Sequence, residues 1–169
     1  NIAYPRAESI PGQTELWLAS GQWDNWNNTK IVQSAGYDGK SCAMAVDHSN
    51  KIHICYVSSS SGFTSVDYAT NSSGSWTHGI VSYDPDYDVE DPDIAVDYFN
   101  NAHISFCEYE DVISPDADLK YANNVSGSWV IEPVDTGYEK GYNTSITAAD
   151  DRSVRISYLD LSQGQLWYA

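Results

Sequence analysis

One apolar pattern occurs three times along the 169-residue chain. Each copy consists of a strand-like segment, a polar turn and a second apolar segment, and the copies begin at Ala45, Ala95 and Ala148. A repeat of about 50 residues is typical of solenoids, propellers and other arrays of supersecondary units. The repeat therefore predicts an array of similar units within one domain that spans residues 1–169.

A second segment, of the form Leu-x-Tyr-Ala or close to it, occurs four times, beginning at Leu16, Val66, Leu119 and Leu166. A tryptophan follows the first three of these segments, namely Trp26, Trp76 and Trp129. The segments are rich in Val, Ile, Tyr and Trp, and clusters of Gly, Asn, Ser and Asp separate them, which is the signature of strands joined by turns. No stretch has a helical periodicity. We therefore predict an all-β fold built from antiparallel units of four strands, named a to d in chain order.

The predicted units divide the chain into two complete and two partial sheets, about 3.5 units in all. The complete units span 42–81 and 93–134, and the partial ones span 1–32 and 145–169. A partial array would expose the flat apolar faces of its terminal sheets, which soluble proteins avoid. Two chains that associate into one closed ring would cover those faces, so we predict a homo-oligomer. A four-unit monomer and a fragment of a longer protein are the alternatives, and the start at Asn1 instead of Met indicates a processed or excised chain.

The consensus order Ile-Ala-Val-Asp, turn, Ile-His-Ile-Ser-Tyr, loop, Leu-Lys-Tyr-Ala, loop, Gly-Ser-Trp resembles β-propeller repeats of the YWTD and NHL kind. It resembles more closely the His-Ile-Ser-Tyr repeats of bacterial and archaeal surface proteins. The resemblance covers nearly the whole chain and implies propeller blades whose Ala-Val-Asp strand is innermost and whose tryptophan strand is outermost. Because propellers include binding modules, scaffolds and enzymes, it says little about activity.

The charge of the chain restricts its partners. Twenty-four Asp and Glu residues stand against 8 Lys and Arg, which gives a formal net charge of −16. This charge repels nucleic acid and anionic membrane surfaces, and no apolar run reaches the roughly 20 residues that span a bilayer. A cation, a basic protein surface or a neutral glycan remains. Four Asn-x-Ser/Thr sequons slightly favour an extracellular or cell-surface location, and they begin at Asn27, Asn71, Asn124 and Asn143.

The acidic segment from Asp84 to Asp93 is the most unusual local feature. Its alternating carboxylates resemble the start of a calcium loop, because Ca²⁺ prefers several oxygens that converge from a tight turn. The glycine and the final bidentate acid of an EF-hand are replaced by Val89 and Ala95. A solvated acidic loop is the alternative, no cofactor is required, and calcium is retained as a candidate ligand. The candidate metal ligands are Asp84, Asp86, Asp88 and Glu90.

In a propeller the d-to-a and b-to-c loops lie on the same face, so the acidic segment is expected beside the loop that follows Glu108. Tyrosines accompany acids in these loops. Such pairs can stack on and hydrogen-bond a sugar, or hold a cationic group, although a turn that only anchors the loop is the alternative. The candidate ligand-binding residues are Tyr83, Asp84, Tyr87, Glu108, Tyr109 and Tyr138.

Trp17 and Trp167 lie on the two terminal units, at a position that alternates with apolar Leu and Tyr residues. In the complete units this position is polar. Because tryptophan is enriched at interfaces, we predict a subunit contact at these two residues, with ordinary packing as the alternative.

His53 and His103 occupy the same place in successive units, and Arg155 replaces them in the next. A position set by the fold is a simpler interpretation than a metal pair or a catalytic base. Asp47, Asp97 and Asp150 end the first strand of their units, where an aspartate can hydrogen-bond the hairpin backbone. We therefore expect structural roles for these three aspartates and the two histidines.

The motifs of several enzyme classes are missing from the sequence, including a Gly-x-Ser-x-Gly elbow, a phosphate-binding glycine loop and His-Glu-x-x-His. We therefore predict a non-catalytic binding or scaffold module that presents its acidic loop face to a protein or glycan partner. The alternative is a glycoside-active or metal-dependent enzyme that uses acids of the same face. A purely structural segment of a surface protein is a third interpretation.

Overall fold

The computed structural model describes residues 1–7, 14–22, 24–33, 41–60, 62–110, 116–149 and 153–169. These residues form strands, turns and bends without a helix. The strands lie in four antiparallel sheets of three, four, four and three strands, each sheet made of consecutive strands. The prediction of an all-β chain of short antiparallel sheets is therefore confirmed. Within the described ranges no helix has the length and hydropathy that crossing a bilayer requires.

Sheet 1 contains β1 (Ile2–Ala7), β2 (Thr14–Gln22) and β3 (Asn25–Gln33), and sheet 2 contains β4 (Cys42–Val46), β5 (Ile52–Ser60), β6 (Phe63–Thr70) and β7 (Thr77–Tyr83). Sheet 3 contains β8 (Tyr87–Val96), β9 (Ala102–Glu110), β10 (Ala117–Asn123) and β11 (Val130–Asp135), and sheet 4 contains β12 (Tyr142–Ala148), β13 (Val154–Asp160) and β14 (Gln165–Tyr168). In every sheet the strand order follows the chain order.

The hairpin between the first two strands of a sheet is built in the same way in sheets 2 and 3. The Asp47 carboxylate accepts hydrogen bonds from the N–H groups of Ser49 and Lys51, both at 2.8 Å. Asp97 accepts equivalent bonds two and four residues further on, at 2.9 and 2.7 Å. The predicted turn-anchoring role of both aspartates is therefore observed, whereas Asp150, in the corresponding place of sheet 4, lies outside the described residues.

Strand β8 begins earlier than the sequence suggests. The acidic segment was expected to be a loop, but Tyr87 pairs with Glu110 and Asp88 pairs with Tyr109, so most of the segment belongs to the strand. Val89 is buried in the middle of the acidic run. Burial of Val89 and pairing with the long strand β9 keep the acidic residues in the extended conformation of a strand. The sequence of the segment alone does not predict this pairing, because it depends on residues of β9.

The sheets pack face to face in chain order, because alternate residues of each strand point to opposite neighbours. In β5, Ile54 packs toward sheet 1 and the adjacent Cys55 packs toward sheet 3. Three apolar clusters result, which join sheets 1 and 2 through Leu16 and Ile54, sheets 2 and 3 through Cys55 and Ile104, and sheets 3 and 4 through Leu119 and Ile156. Each inner sheet is therefore covered on both faces, and the loops gather at the strand ends.

Candidate functional site

A cleft of about 230 Å³ lies at one end of sheet 3, where the start of β8, the end of β9, the start of β10 and the loop after β11 meet. We call it the acidic cleft. Its walls are formed by Tyr87, Glu108, Glu110, Asp116, Asp118 and Gly137. Consecutive strands of an antiparallel sheet run in opposite directions, so the end of β9 and the start of β10 necessarily lie side by side.

Lys120 forms ion pairs with two of these carboxylates. Its ammonium lies 3.0 Å from Glu108 Oε2 and 3.3 Å from Asp118 Oδ2. Burial alone would lower the pKa of Lys120, but its contacts with Glu108 and Asp118 outweigh burial and raise it. Asp118 also accepts a hydrogen bond from the Gly137 N–H at 3.0 Å. Lys120 thus pairs with two of the four carboxylates that line the cleft, and the cleft keeps a net negative charge.

Tyr87 closes one side of the acidic cleft. Its hydroxyl donates to Glu110 Oε1 at 3.2 Å. This hydrogen bond and the charge of Glu110 raise the pKa of Tyr87, because ionisation would place two negative groups together. The tyrosine therefore stays a neutral donor whose ring faces the same cleft as the acids.

The structure brings together only part of the predicted ligand-binding set. Tyr87 and Glu108 share the acidic cleft, and the exposed Tyr138 borders it through a backbone bridge to Asp116. Tyr83 instead stands edge-on to Phe63, with ring centres 6.3 Å apart.

Two further residues of that set lie outside the acidic cleft. Tyr109 lines a different cavity, together with Glu90 and Asp91, and burial followed by the charge of Glu90 raises its pKa to about 12. Asp84 caps its own turn by accepting a hydrogen bond from the Asp86 N–H at 3.0 Å. The predicted set is thus spread over more than one surface.

The four predicted metal ligands are not assembled into one site. Asp84 and Asp86 belong to the turn before β8, whereas Asp88 and Glu90 are strand residues. Asp88 accepts a hydrogen bond from the Thr64 hydroxyl at 2.8 Å. Among the residues that the structure describes, no group of three or more His, Cys, Asp or Glu side chains is placed to hold a metal ion.

Trp17 lies on the face of sheet 1 that points away from sheet 2, since Leu16 and Leu18 on either side are buried in the cluster between these sheets. The Arg6 guanidinium stands 4.8 Å from its ring centre. The indole N–H donates to the Glu15 carboxylate at 2.8 Å. Trp17 is therefore held in place within its own sheet.

Trp167 has a different environment from Trp17. The residue is 39% exposed, and the Lys140 ammonium lies 5.1 Å from the centre of its ring. Lys140 pairs with the fully buried Asp160, which lowers the pKa of that carboxyl. The residues on either side of Trp167 are more open, with Leu166 73% and Tyr168 68% exposed.

A larger cavity, of about 470 Å³, lies between sheets 3 and 4, and the sequence did not indicate it. We call it the inter-sheet cavity. Its lining consists of Asp97, Phe99, Asn101, His103, Tyr121, Asn123, Val125, Glu132, Ala148, Ala149, Ser153 and Val154. Because its walls come from two sheets, its existence depends on how the sheets are spaced, which periodicity alone does not give.

One wall of the inter-sheet cavity carries a chain of polar contacts. His103 Nδ1 lies 2.6 Å from the Tyr121 hydroxyl, and His103 Nε2 lies 3.5 Å from Asp97 Oδ2. Burial, and then the charges of Glu132 and Asp97, raise the pKa of Tyr121 to about 12. Burial also works against ionisation of Asp97, but hydrogen bonds from Asn101 and the contact with His103 outweigh it and lower the pKa of Asp97.

The same Asp-His-Tyr contact occurs in sheet 2. His53 Nδ1 lies 2.5 Å from the Tyr68 hydroxyl, and His53 Nε2 lies 3.2 Å from Asp47 Oδ2. A constellation that recurs from sheet to sheet is best explained as part of the sheet framework. The geometry thus agrees with the structural interpretation of His53 and His103.

In comparisons with known proteins, no family model and no curated protein matches the chain. A functional proposal therefore depends on the geometry of the acidic cleft, the inter-sheet cavity and the exposed faces of the terminal sheets.

Proposed function

We propose that the four sheets are successive blades of a propeller-type binding module, and that the acidic cleft binds a basic segment of a protein partner without catalysis. The observation that carries this proposal is the convergence of four carboxylates and a tyrosine on one cleft, in which Lys120 pairs with only two of the carboxylates, Glu108 and Asp118. Carboxylates and a tyrosine ring are suited to arginine and lysine side chains, through ion pairs and cation–π contacts. The net charge of −16 adds long-range attraction for a basic partner.

A lysine-rich peptide tests the acidic cleft directly. A labelled heptalysine should bind the full chain, and binding should weaken as salt is added, because the contacts are electrostatic. The double variant Glu110→Gln, Asp116→Asn should bind the peptide about tenfold more weakly, as truncation of paired charges at an interface usually does. The variants remove charge from exposed side chains, so folding should be unaffected.

The double variant Asp24→Asn, Glu132→Gln is the matched control, because it also removes two charges from exposed side chains and neither residue lines the acidic cleft. If the cleft variant and this control bind heptalysine equally, the charge of the whole molecule accounts for binding and the cleft proposal is wrong. A neutral oligosaccharide that binds in place of heptalysine, and whose binding the cleft variants abolish, would indicate a glycan partner.

We further propose that the module associates with itself through the exposed faces of its terminal sheets. Leu166 and Tyr168 are largely exposed on sheet 4, and Ile2, which pairs with Ala19, is exposed on the same face of sheet 1 as Trp17. A head-to-tail contact between these faces would cover both and would continue the packing of consecutive sheets. In this arrangement Trp17 lies in the contact, whereas Trp167 supports it from the other face of β14.

Sedimentation velocity at increasing concentration tests this contact. The wild-type chain should shift from monomer toward a larger species, and Tyr168→Asp should reduce that shift, because it places a charge in an apolar contact. Tyr98→Asp is the control, since Tyr98 is similarly exposed but lies on the β8–β9 hairpin. A wild-type chain that stays monomeric throughout would contradict self-association without affecting the cleft proposal.

A further inference from the structure

The acidic cleft adjoins a second cleft, because Tyr87 borders both. The second cleft has a volume of about 220 Å³ and lies between the β5–β6 hairpin and the start of β8. We call it the aromatic cleft. Its walls are formed by Gly62, Phe63, Pro85, Asp86, Tyr87 and Asp88. The hairpin of sheet 2 and the start of sheet 3 thus form one continuous surface with the acidic cleft.

Two aromatic residues are exposed at this surface. Phe63 is 42% exposed and Tyr83 is 50% exposed. Their rings meet edge-on at 85°, and the pairing of β6 with β7 holds them together, because Tyr83 lies opposite Ser65, two residues from Phe63. Single exposed aromatic residues are common on protein surfaces, whereas a pair of rings beside a cleft with a polar rim is typical of an interface. Because each ring already has a neighbour, a partner that covers them loses little affinity to side-chain ordering.

The charge of the combined surface restricts what can cover these rings. Asp86 and Asp88 line the aromatic cleft, and four further carboxylates line the acidic cleft. Lys120 pairs with two of these six acids. An acidic segment would be repelled, a purely apolar segment would bury carboxylates without partners, and a purely basic segment would leave the aromatic pair exposed. The complementary occupant therefore combines basic side chains with an aromatic one.

We propose that the basic segment bound at the acidic cleft carries an aromatic residue among its basic ones, and that this ring packs on Phe63 at the aromatic cleft. Tyr83 supports the Phe63 ring from the adjacent strand. In this arrangement the carboxylates attract and orient the segment, and the aromatic contact distinguishes one basic segment from another. The inference rests on the function proposed for the acidic cleft and adds the specificity that charge alone does not provide.

Two labelled peptides of equal charge provide the probe. One has the sequence Lys-Lys-Lys-Trp-Lys-Lys-Lys, and the other has alanine in place of the tryptophan. Fluorescence anisotropy with the full chain measures the affinity of each peptide. The tryptophan peptide should bind at least about fivefold more tightly, because truncation of an aromatic anchor to alanine usually costs a large part of the affinity of a small interface. Both peptides carry six lysines, so the ratio of their affinities is independent of net charge.

Three protein variants locate the aromatic contact. Phe63→Ser should bring the ratio of the two affinities close to one, and Tyr83→Ser should lower it, because the Phe63 ring loses its support. Tyr98→Ser is the matched control and should keep the ratio, since Tyr98 is an exposed aromatic residue on the β8–β9 hairpin, at the opposite end of sheet 3 from Glu110. Circular dichroism confirms that each variant is folded. The double variant Glu110→Gln, Asp116→Asn should weaken the binding of both peptides.

Three outcomes overturn the aromatic contact and leave the acidic cleft standing. They are equal affinity of the wild-type chain for the two peptides, an unchanged ratio in Phe63→Ser, and an equal loss of the ratio in Tyr98→Ser. If neither peptide binds, the function proposed for the acidic cleft and the aromatic contact are both wrong. Because Phe63 and Tyr83 lie on different strands, a folding defect in one variant leaves the other as a test.

Discussion

Asp97 illustrates how one side chain organises its surroundings. Its carboxylate is buried and accepts hydrogen bonds from the N–H groups of Phe99 and Asn101 and from the Asn101 side chain, at 2.7 to 2.9 Å. The second oxygen lies near His103. A single residue thus fixes the β8–β9 hairpin and one wall of the inter-sheet cavity.

We expect Asp97→Ala to lower the free energy of unfolding by about 1–3 kcal/mol, because buried donors would lose their acceptor. Urea unfolding at neutral pH measures this change. Asp86→Ala is the control, since Asp86 is an acid of the same charge in an exposed turn. Equal destabilisation by both variants would show that Asp97 acts through charge alone.

The same aspartate gives a pH dependence whose direction follows from its pKa. The pKa of Asp97 is lowered in the folded state, so its stabilising effect is present above the unfolded value of about 3.9 and is lost as pH falls through the folded value. The stability difference between wild type and Asp97→Ala should therefore shrink below about pH 4. A difference that stays constant down to acid unfolding would contradict this assignment.

At the scale of elements, hydrogen bonds between side chain and backbone join sheet 3 to sheet 4. The buried Thr144 hydroxyl of β12 lies 2.8 Å from the Asp91 carbonyl, to which it donates, and 2.8 Å from the Ser105 hydroxyl, from which it accepts. Asp93 accepts a hydrogen bond from the Ile146 N–H at 2.9 Å. These contacts set the position of β12 against β8 and thereby one dimension of the inter-sheet cavity.

Thr144→Val keeps the shape of the side chain but removes its hydroxyl. The free energy of unfolding should fall by about 1–3 kcal/mol, because polar partners in a buried site would lose their bonds. Thr147→Val, an exposed change on the same strand, should have little effect. Thermal unfolding of the two variants compares them, and an equal effect of both would mean that strand propensity explains the change.

Gly141 permits a close approach between the loop before β12 and strand β10. Its φ is +82°, and an added Cβ would lie 2.7 Å from Leu119 Cα. Gly127 has a similar φ of +83° but open space around it. Gly127→Ala should cost about 1–2 kcal/mol for the left-handed backbone alone, whereas Gly141→Ala should cost clearly more. Equal costs in urea unfolding would show that the loop moves away freely.

Local chemistry explains which elements the sequence predicted. The turns at Asp47 and Asp97, the alternating apolar residues of β5 and β9, and the grouping of strands into sheets all depend on neighbours in the chain. The early start of β8 depends on pairing with Glu110, more than 20 residues away. The inter-sheet cavity depends on the spacing of whole sheets, which the repeat pattern does not contain.

At the acidic cleft, too, the sequence predicted only part of the arrangement, as Tyr87 and Glu108 show. Their shared location followed from the expected order of strands, and the structure brings them to one cleft. Tyr109 belongs to the same strand as Glu108 but points to a different cavity, because adjacent strand residues face opposite sides. To predict which of the two residues faces the acidic cleft, one needs the register of β9 in its sheet, and the amino-acid composition of the loop does not give that register.

For the whole molecule, the dominant quantity is the net charge of −16. Like charges repel in the compact state, so added salt should raise the melting temperature as the Debye length falls from about 30 Å at 0.01 M to about 3 Å at 1 M. A variant with Asp24→Asn, Asp86→Asn and Glu110→Gln should gain less from salt. A fall in melting temperature with salt would instead show that ion pairs such as Lys140 with Asp160 outweigh the repulsion.

The order of strands in the sheets has a consequence for folding. Because each sheet consists of strands that follow one another in the chain, most of its pairings close short loops, which favours rapid formation of each sheet as a separate cooperative unit. The inner sheets gain neighbours on both faces, and the outer sheets on one. Amide protons of β5 and β9 should therefore exchange with solvent last, and those of β1 and β14 first.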